Sequence, residues 1–474
     1  MKTAETHKTA SEDRIPISEK TAFGFGSMAQ ILGGHSIGNL AHFVFYLGLG
    51  VSPILVALAQ SIPRIVDAFT DPLMGHISDN TRSRWGRRRP YMFVGAILMG
   101  LFYAAIWCLP KGWSEYGYFS YFLGTSLLFY AALTVFMVPW AAMGYEMTGD
   151  YHERTRLQAW ANFFGSVGSL LMPWLYWLTQ RDVFEDTIHG ARWVGSGLGL
   201  VLILTALTSV FFCREGRYEE AVKQKKTPLW TSVKQAYSNR AFMRLMTVVL
   251  LVGTAFFTIM SLHSIITIYY VMAGNEDAAS FYLGWYGTSW VISSLLLTPL
   301  VSWAATRFGK KKILTIAICI NALGYIAKIW CYVPGYPLLI CIPPVLLAAG
   351  FAGVWVIVPS MTADICDKDE LDTGIRREGM YSAVYGWFLK TSISVGMLIG
   401  GLLIAASRFD KSLEVVQIES SLNWLRTLEV GVPIPIVLAG IFLLRKYPLS
   451  EERMYEIRAA LDKRKQDASD QETV

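Results

Sequence analysis

Arg64-Ile65-Val66-Asp67-Ala68-Phe69-Thr70-Asp71-Pro72-Leu73-Met74-Gly75 closes an apolar run of about 52–77 and leads into Arg82-Ser83-Arg84-Trp85-Gly86-Arg87-Arg88-Arg89. An apolar run that long fits a membrane-spanning helix, and the arginines that follow mark the side where it ends. The same plan returns in the second half, where Thr298-Pro299-Leu300-Val301-Ser302 precedes Arg307-Phe308-Gly309-Lys310-Lys311-Lys312. A second echo joins Val138-Pro139 to Val358-Pro359, each followed by acidic and then basic residues. The chain therefore reads as two related halves.

Working outward, runs of spanning length fall at about 22–48, 52–77, 91–110, 117–144, 158–180, 192–213, 243–272, 281–306, 312–332, 338–363, 379–406 and 427–445. The longest connection, about 214–242, is charged and divides them six and six. The expected fold class is an all-α polytopic membrane protein with 12 transmembrane helices in two six-helix halves. Its expected parts are an N-terminal segment (1–21), a first bundle (22–213), a central loop (214–242), a second bundle (243–445) and a tail (446–474). Six plus six spans with a parallel repeat is the plan of the major facilitator superfamily, in which the halves rock about a central site.

Composition agrees. Of 474 residues, 53% are hydrophobic and 16% charged, with a mean hydropathy of +0.38. A soluble protein carries about 25% charged residues, so the usual soluble-enzyme surface is excluded. The net charge of +6 does not point to nucleic acid, because Lys and Arg concentrate in the even-numbered loops, five of them after span two. That bias places both termini and the central loop on the cytoplasmic side. The first twenty or so residues lack the apolar core of a signal peptide. The six cysteines show neither metal-ligand spacing nor a disulfide framework and read as small buried hydrophobes. No cofactor is expected, and a monomer in the lipid bilayer is.

Charges inside the spans carry the functional argument. Asp67 and Asp71 stand four residues apart, so both project from one helical face, with Arg64 a turn before. A lone carboxylate at mid-bilayer costs about 3 kcal/mol or more. One reading is a salt bridge from Arg64 to one Asp with the other protonated. The other is a cation site, in which carboxylates and hydroxyls such as Thr70 supply the oxygen ligands that hard cations prefer. Lys390, about eleven residues into span eleven, is too deep to snorkel and needs a carboxylate or an anionic ligand. His35, Asn39 and His42 make a polar stripe on span one that suits core packing or a cavity lining equally. Trp113, Trp174 and Trp177 read as interfacial. Trp355, between Gly353 and Pro359 in span ten, suits a cavity where an indole could stack on a sugar.

These residues resemble a known family. Ile62 to Gly75 followed by Asn80-Thr81-Arg82-Ser83-Arg84-Trp85-Gly86 is similar to the second-helix signature of the glycoside-pentoside-hexuronide:cation symporters. Gly24-Phe25-Gly26, Trp355, Ala363-Asp364-Ile365, Asp367, Arg376, Glu378 and Lys390 extend the resemblance over nearly the whole chain. It implies a cation site at Asp67, Thr70, Asp71 and Thr134, with Thr70 where melibiose permease, the best-known member, has an asparagine. Na⁺ coupling is implied, with H⁺ or Li⁺ left as alternatives. The family's sugar-binding acidic residues fall on Ile31 and Met137, the lysine beside the first on Gln30, and the span-five arginine on Asn162. Trp355 and Lys390 are retained. The substrate site so implied, Gln30, Asn162, Trp355 and Lys390, does not match melibiose but leaves other sugars open.

The expected function is cation-coupled import of a glycoside, pentoside or hexuronide across a bacterial inner membrane. The sodium-dependent lysolipid symporters share the span-two signature and supply the alternative, an amphiphile transporter. No nucleophile–base arrangement is found, so an enzyme is not expected. Asp79, Arg82, Arg87, Asp364, Arg376 and Glu378 gather at the inner ends of spans two, ten and eleven. There they are expected to act as gate charges that break and re-form as the halves rock. Lys390 is expected to stand in for the cation near Asp67 and Asp71 when that site is empty.

Overall fold

In the first half, the apolar runs fold as α1 (Ile17–Ala41), α2 (Pro53–Asn80), α3 (Arg89–Trp107), α4 (Glu115–Glu146), α5 (Tyr151–Ser169), α6 (Leu175–Thr179) and α7 (Thr187–Phe212). The second half follows with α8 (Arg240–Ile265), α9 (Glu276–Phe308), α10 (Lys310–Cys331), α11 (Ile342–Thr373), α12 (Glu378–Ala406), α13 (Val415–Gly431) and α14 (Pro433–Arg445). The computed structural model describes residues 14–110, 112–148, 150–214, 237–373, 378–409, 415–448 and most of 452–463. Among these residues there is no strand, and nine helices are long and apolar enough to cross a membrane. The helices at the places of spans one, two and five fall outside the nine. The helix of span two carries Arg64, Asp67, Asp71 and, past the span, Asp79, and the helix of span five starts before the span with Glu153, Arg154 and Arg156.

Helix ends follow local chemistry. Asp150, Asp186 and Asn275 accept the backbone N–H groups of Glu153, His189 and Ala278 at 2.7, 2.6 and 3.1 Å, satisfying donors that a helix start leaves free. Helix α11 runs ten residues past the expected end of span ten, through Asp364, Asp367 and Asp369, because a helix need not stop where the membrane does. Span twelve is two helices divided at Val432–Pro433, and its helical course begins at 415 rather than 427. A proline has no N–H to continue the ladder and is accepted at a helix start. In the tail, Met454, Ile457 and Leu461 recur at helical spacing and are buried in the second unit's core. Cys108 and Cys319 are exposed, contrary to the burial expected of all six cysteines, while Cys213, Cys331 and Cys366 are buried. Lipid-facing helix surface is as apolar as the core, so a small hydrophobe can sit on either side.

The chain forms two compact units, Met1–Lys225 and Lys226–Val474. In the first, α1 packs on α5 and α7, α2 on α4, and α3 on α4 and α7. In the second, α8 packs on α12 and α14, α9 on α11, and α10 on α11 and α14. Counted by span, each unit pairs first with fifth and sixth, second with fourth, and third with fourth and sixth. The proline echoes seen in the sequence therefore accompany the same internal packing. Close backbone contact serves both. A Cβ on Gly100 of α3 would collide with the Gly199 carbonyl of α7, and one on Gly400 of α12 would stand 2.7 Å from the Thr258 carbonyl of α8. Small residues let such helices approach without a side chain between them.

The basic triplets repeat in structure as well. Gly86 and Gly309 both hold positive φ, 96° and 90°, and each opens a triplet. Arg87 and Arg88 pair with Glu146 at the end of α4, and Arg89 donates to the Cys213 carbonyl beyond α7. In the second unit, Lys310 pairs with Asp364 of α11 at 2.6 Å. Lys311 donates to the Arg445 and Tyr447 carbonyls at the end of α14, each at 2.9 Å. A cation at a helix C-terminus satisfies orphan carbonyls and opposes the negative end of the helix dipole. These triplets thus staple helix ends besides marking a membrane side.

At the start of α5, Glu153 is buried. It accepts from Lys20 Nζ at 2.6 Å, Arg156 Nη1 at 3.0 Å and the Ile15 backbone N–H at 3.0 Å. Burial pushes its carboxyl up, but these three donors outweigh it and hold the pKa below the ordinary 4.5. A depressed carboxylate contributes stability above its unfolded value and loses it as pH falls through the folded one. Glu153→Gln is therefore expected to cost about 2 kcal/mol at neutral pH, the scale of hydrogen bonds to a charged group. Thermal unfolding should show the deficit at pH 7 and a smaller one below pH 4.5. An equal deficit at both would refute the charge argument.

Candidate functional site

Helix α2 puts Arg64, Asp67 and Asp71 on one face, three and then four residues apart. Helix α4, packed against it, presents Tyr130 and Thr134 one turn apart. Arg64, Asp67 and Thr134 are buried, at 8%, 3% and 1% exposure, and Asp71 is half-buried.

The Thr134 hydroxyl reaches both carboxylates. Its Oγ1 donates to Asp67 Oδ1 and lies 3.1 Å from Asp71 Oδ1. A hydroxyl carries one proton, so it cannot donate to both oxygens at once. Three oxygens from two helices therefore converge around that single proton. Such a cluster suits a hard cation or a shared proton. The Thr70 hydroxyl is turned back along its own helix, donating to the Asp67 carbonyl at 3.3 Å.

Arg64 departs from the salt-bridge reading that the sequence left open. Among the described residues it forms no ion pair with Asp67 or Asp71. It donates to the Gly34 carbonyl of α1, and its guanidinium stacks 4.4 Å above the Tyr130 ring. A guanidinium stacks well on an aromatic face and its planar donors suit a carbonyl, so a buried Arg can be held without a carboxylate contact.

The other sequence candidates fall in both units. Gln30 is half-buried on α1 and Asn162 exposed on α5, two helices packed on one another. Trp355 of α11 is 50% exposed, and its ring centroid stands 6.4 Å from Phe351. Phe351 in turn packs with Phe256 and Trp290 at 4.3 and 5.4 Å. Lys390 is half-buried on α12, where its carbonyl accepts from Ser394 Oγ at 3.1 Å. Of the gate candidates, Arg87 and Asp364 take part in the staples above and Arg82 is exposed. Arg376 and the side chains of Asp79 and Glu378 lie outside the described residues. On span one, Asn39 donates to the His35 carbonyl at 3.1 Å, and His42 packs on Tyr46 with ring centroids 5.0 Å apart.

A buried ion pair in the second unit escaped the sequence reading. Lys328 of α10 and Glu429 of α13 pair at 1% exposure each. Tyr332 Oη donates to Glu429 Oε1 at 3.3 Å and lies 2.8 Å from His263 Nδ1 of α8. The His263 ring stacks on Tyr286 of α9, centroids 3.7 Å apart. The network ties four helices of the second unit together. The signal was present: Ala327-Lys328-Ile329 and Leu428-Glu429-Val430 are single charges in apolar runs.

A family model described as MFS/sugar transport protein matches residues 22–451. A glucuronide carrier protein homolog of Escherichia coli is 23% identical over 91% of this chain and 95% of its own. The sodium-dependent lysophosphatidylcholine symporter 1 of Mus musculus is 22% identical over 97% of this chain and 90% of its own. Among solved structures, a D-xylose-proton symporter superposes with a TM-score of 0.60 at 16% identity, covering 91% of this chain and 96% of that one.

Proposed function

This chain belongs to the MFS/sugar transport protein family and is a multi-pass membrane transporter rather than an enzyme, and on that premise we propose that it imports a sugar together with a cation. The cation is Na⁺, the sugar a glycoside, pentoside or hexuronide, and the setting a bacterial inner membrane with both termini cytoplasmic. The observation that carries this reading is the convergence of Asp67, Asp71 and Thr134, an all-oxygen cluster within a bundle of apolar helices. Relatives named for glucuronide and for sodium dependence support the sugar and the ion respectively. Trp355, half exposed at the edge of an aromatic cluster, offers a face on which a sugar ring stacks. The cation binds first in this scheme and biases the halves toward the state that accepts sugar.

The relative named for lysophosphatidylcholine keeps an amphiphile as the second reading. Reconstituted protein offered radiolabelled methyl β-D-glucuronide, methyl β-D-xyloside and lysophosphatidylcholine under Na⁺, Li⁺ or H⁺ gradients separates the two. Accumulation of a sugar driven by Na⁺ is the expected result. Accumulation of the lysolipid alone would replace the sugar reading, and a sugar driven by H⁺ alone would replace Na⁺.

A further inference from the structure

Between α11 and α12 lies a cavity of about 170 Å³ lined by Pro359, Thr362, Ala363, Cys366, Ser382 and Tyr385. We infer that this groove is a second resting station for the sugar, shaped for one neutral ring. The inference rests on the sugar-transport reading above and assigns that route a site of its own.

Four observations support it. First, the size fits: sites for drug-sized ligands occupy about 300–1,000 Å³, whereas this groove, at about 170 Å³, suits a single ring. Second, among the described residues the lining is uncharged and rich in short polar groups, with hydroxyls from Thr362, Ser382 and Tyr385 and a thiol from Cys366. Two acidic residues adjoin the lining in sequence, Asp364 and Asp367, and Asp364 is already paired with Lys310. Among the described lining residues an anion or zwitterion finds no counter-charge, whereas a polyol finds donors and acceptors.

Third, Tyr385 Oη is buried without a hydrogen-bond partner among the described residues. Buried hydroxyls are rarely left so, and a ligand hydroxyl would satisfy this one. The Thr362 hydroxyl donates to the Val358 carbonyl at 2.9 Å, which leaves its oxygen able to accept. Fourth, Trp355, Pro359, Thr362 and Cys366 follow one another at steps of four, three and four along α11. That spacing makes a single stripe, about 16 Å from Trp355 to Cys366 at 1.5 Å per residue. A sugar released from the Trp355 face therefore meets the groove by moving along one helix.

The test uses full-length reconstituted protein, wild type and two variants. Tyr385→Phe removes one oxygen and leaves the packing intact, while Ala363→Leu fills the groove. Exchange of radiolabelled methyl β-D-xyloside and methyl β-D-glucuronide across the vesicle membrane is timed, and equilibrium binding of the same sugars is measured in detergent. Both variants are expected to slow exchange of the neutral xyloside about fivefold, the scale of one lost hydrogen bond, while its equilibrium affinity is kept. Wild-type exchange in both variants would overturn the groove and leave the sugar reading standing. Loss of equilibrium binding in Tyr385→Phe would overturn it too, by merging the groove with the primary site. A wild-type protein that exchanges neither sugar removes the sugar reading itself, and this inference with it.

Discussion

Replacing Asp71 with Asn is expected to abolish cation-stimulated uptake while leaving a folded, membrane-inserted protein. The substitution keeps the side-chain shape and removes one of the two charges that Thr134 bridges. An amide also turns a donor toward the cluster where every atom had been an oxygen, and a hard cation prefers oxygen ligands. Losing one charged contact is worth at least about 2 kcal/mol, or about thirtyfold in cation affinity. Asp67→Asn should cost at least as much, because Asp67 is the more buried of the pair. Thr134→Val removes the hydroxyl alone and should weaken the cation less than either. Lys390→Val divides the two roles considered for that lysine. As a cation surrogate its loss tightens cation binding and spares substrate, and as a substrate ligand its loss weakens substrate at every cation concentration. Cation stimulation that survives in both Asp variants would remove the site from α2.

The second large effect concerns stability rather than transport. Lys328→Met or Glu429→Leu alone should cost about 3–5 kcal/mol, since each strands the partner's charge in a dry interior. The double variant Lys328→Met with Glu429→Leu should recover most of that loss, because an apolar pair of similar volume needs no compensation. Tyr332 keeps its contact with His263 but loses its hydrogen bond to Glu429 when that residue is replaced, so the ion pair is read from the coupling between the two substitutions. Thermal unfolding in detergent reads all four proteins. Single variants as stable as wild type, or a double variant as damaged as the worse single, would contradict the assignment.

The sequence exposed what breaks an apolar pattern. Asp67 and Asp71 stand out in span two, and the prolines with their trailing basic triplets announce a repeat that the internal packing of each unit shares. What it hid were partners. The Gly34 carbonyl that holds Arg64 is backbone, identical in every residue type, so the sequence offers the guanidinium only a carboxylate as one reading. Thr134 is one hydroxyl in an apolar run, and only its family position marked it. The ion pair of the second unit was concealed by boundaries. A run starting near 427 puts Glu429 at the membrane edge, where charge is ordinary, but the helical course starts at 415 and buries it. Lys328, close to the end of α10, likewise reads as a snorkelling lysine until its 1% exposure is seen. In the sequence Arg87, Arg88, Arg89, Lys310 and Lys311 read as topology markers, and Arg87 as a gate charge as well, because the helix-end carbonyls that they staple carry no mark in the residue string.

Sugar-driven movement of radiolabelled Na⁺ into vesicles tests the central claim most directly. Reconstituted wild-type protein is given an inward gradient of the sugar that it carries, with no Na⁺ gradient and the membrane potential clamped. Coupling through the Asp67, Asp71 and Thr134 cluster predicts that Na⁺ enters with the sugar and that Asp71→Asn abolishes this entry. Sugar entry without Na⁺ in the wild type, or Na⁺ entry undiminished in Asp71→Asn, would contradict it.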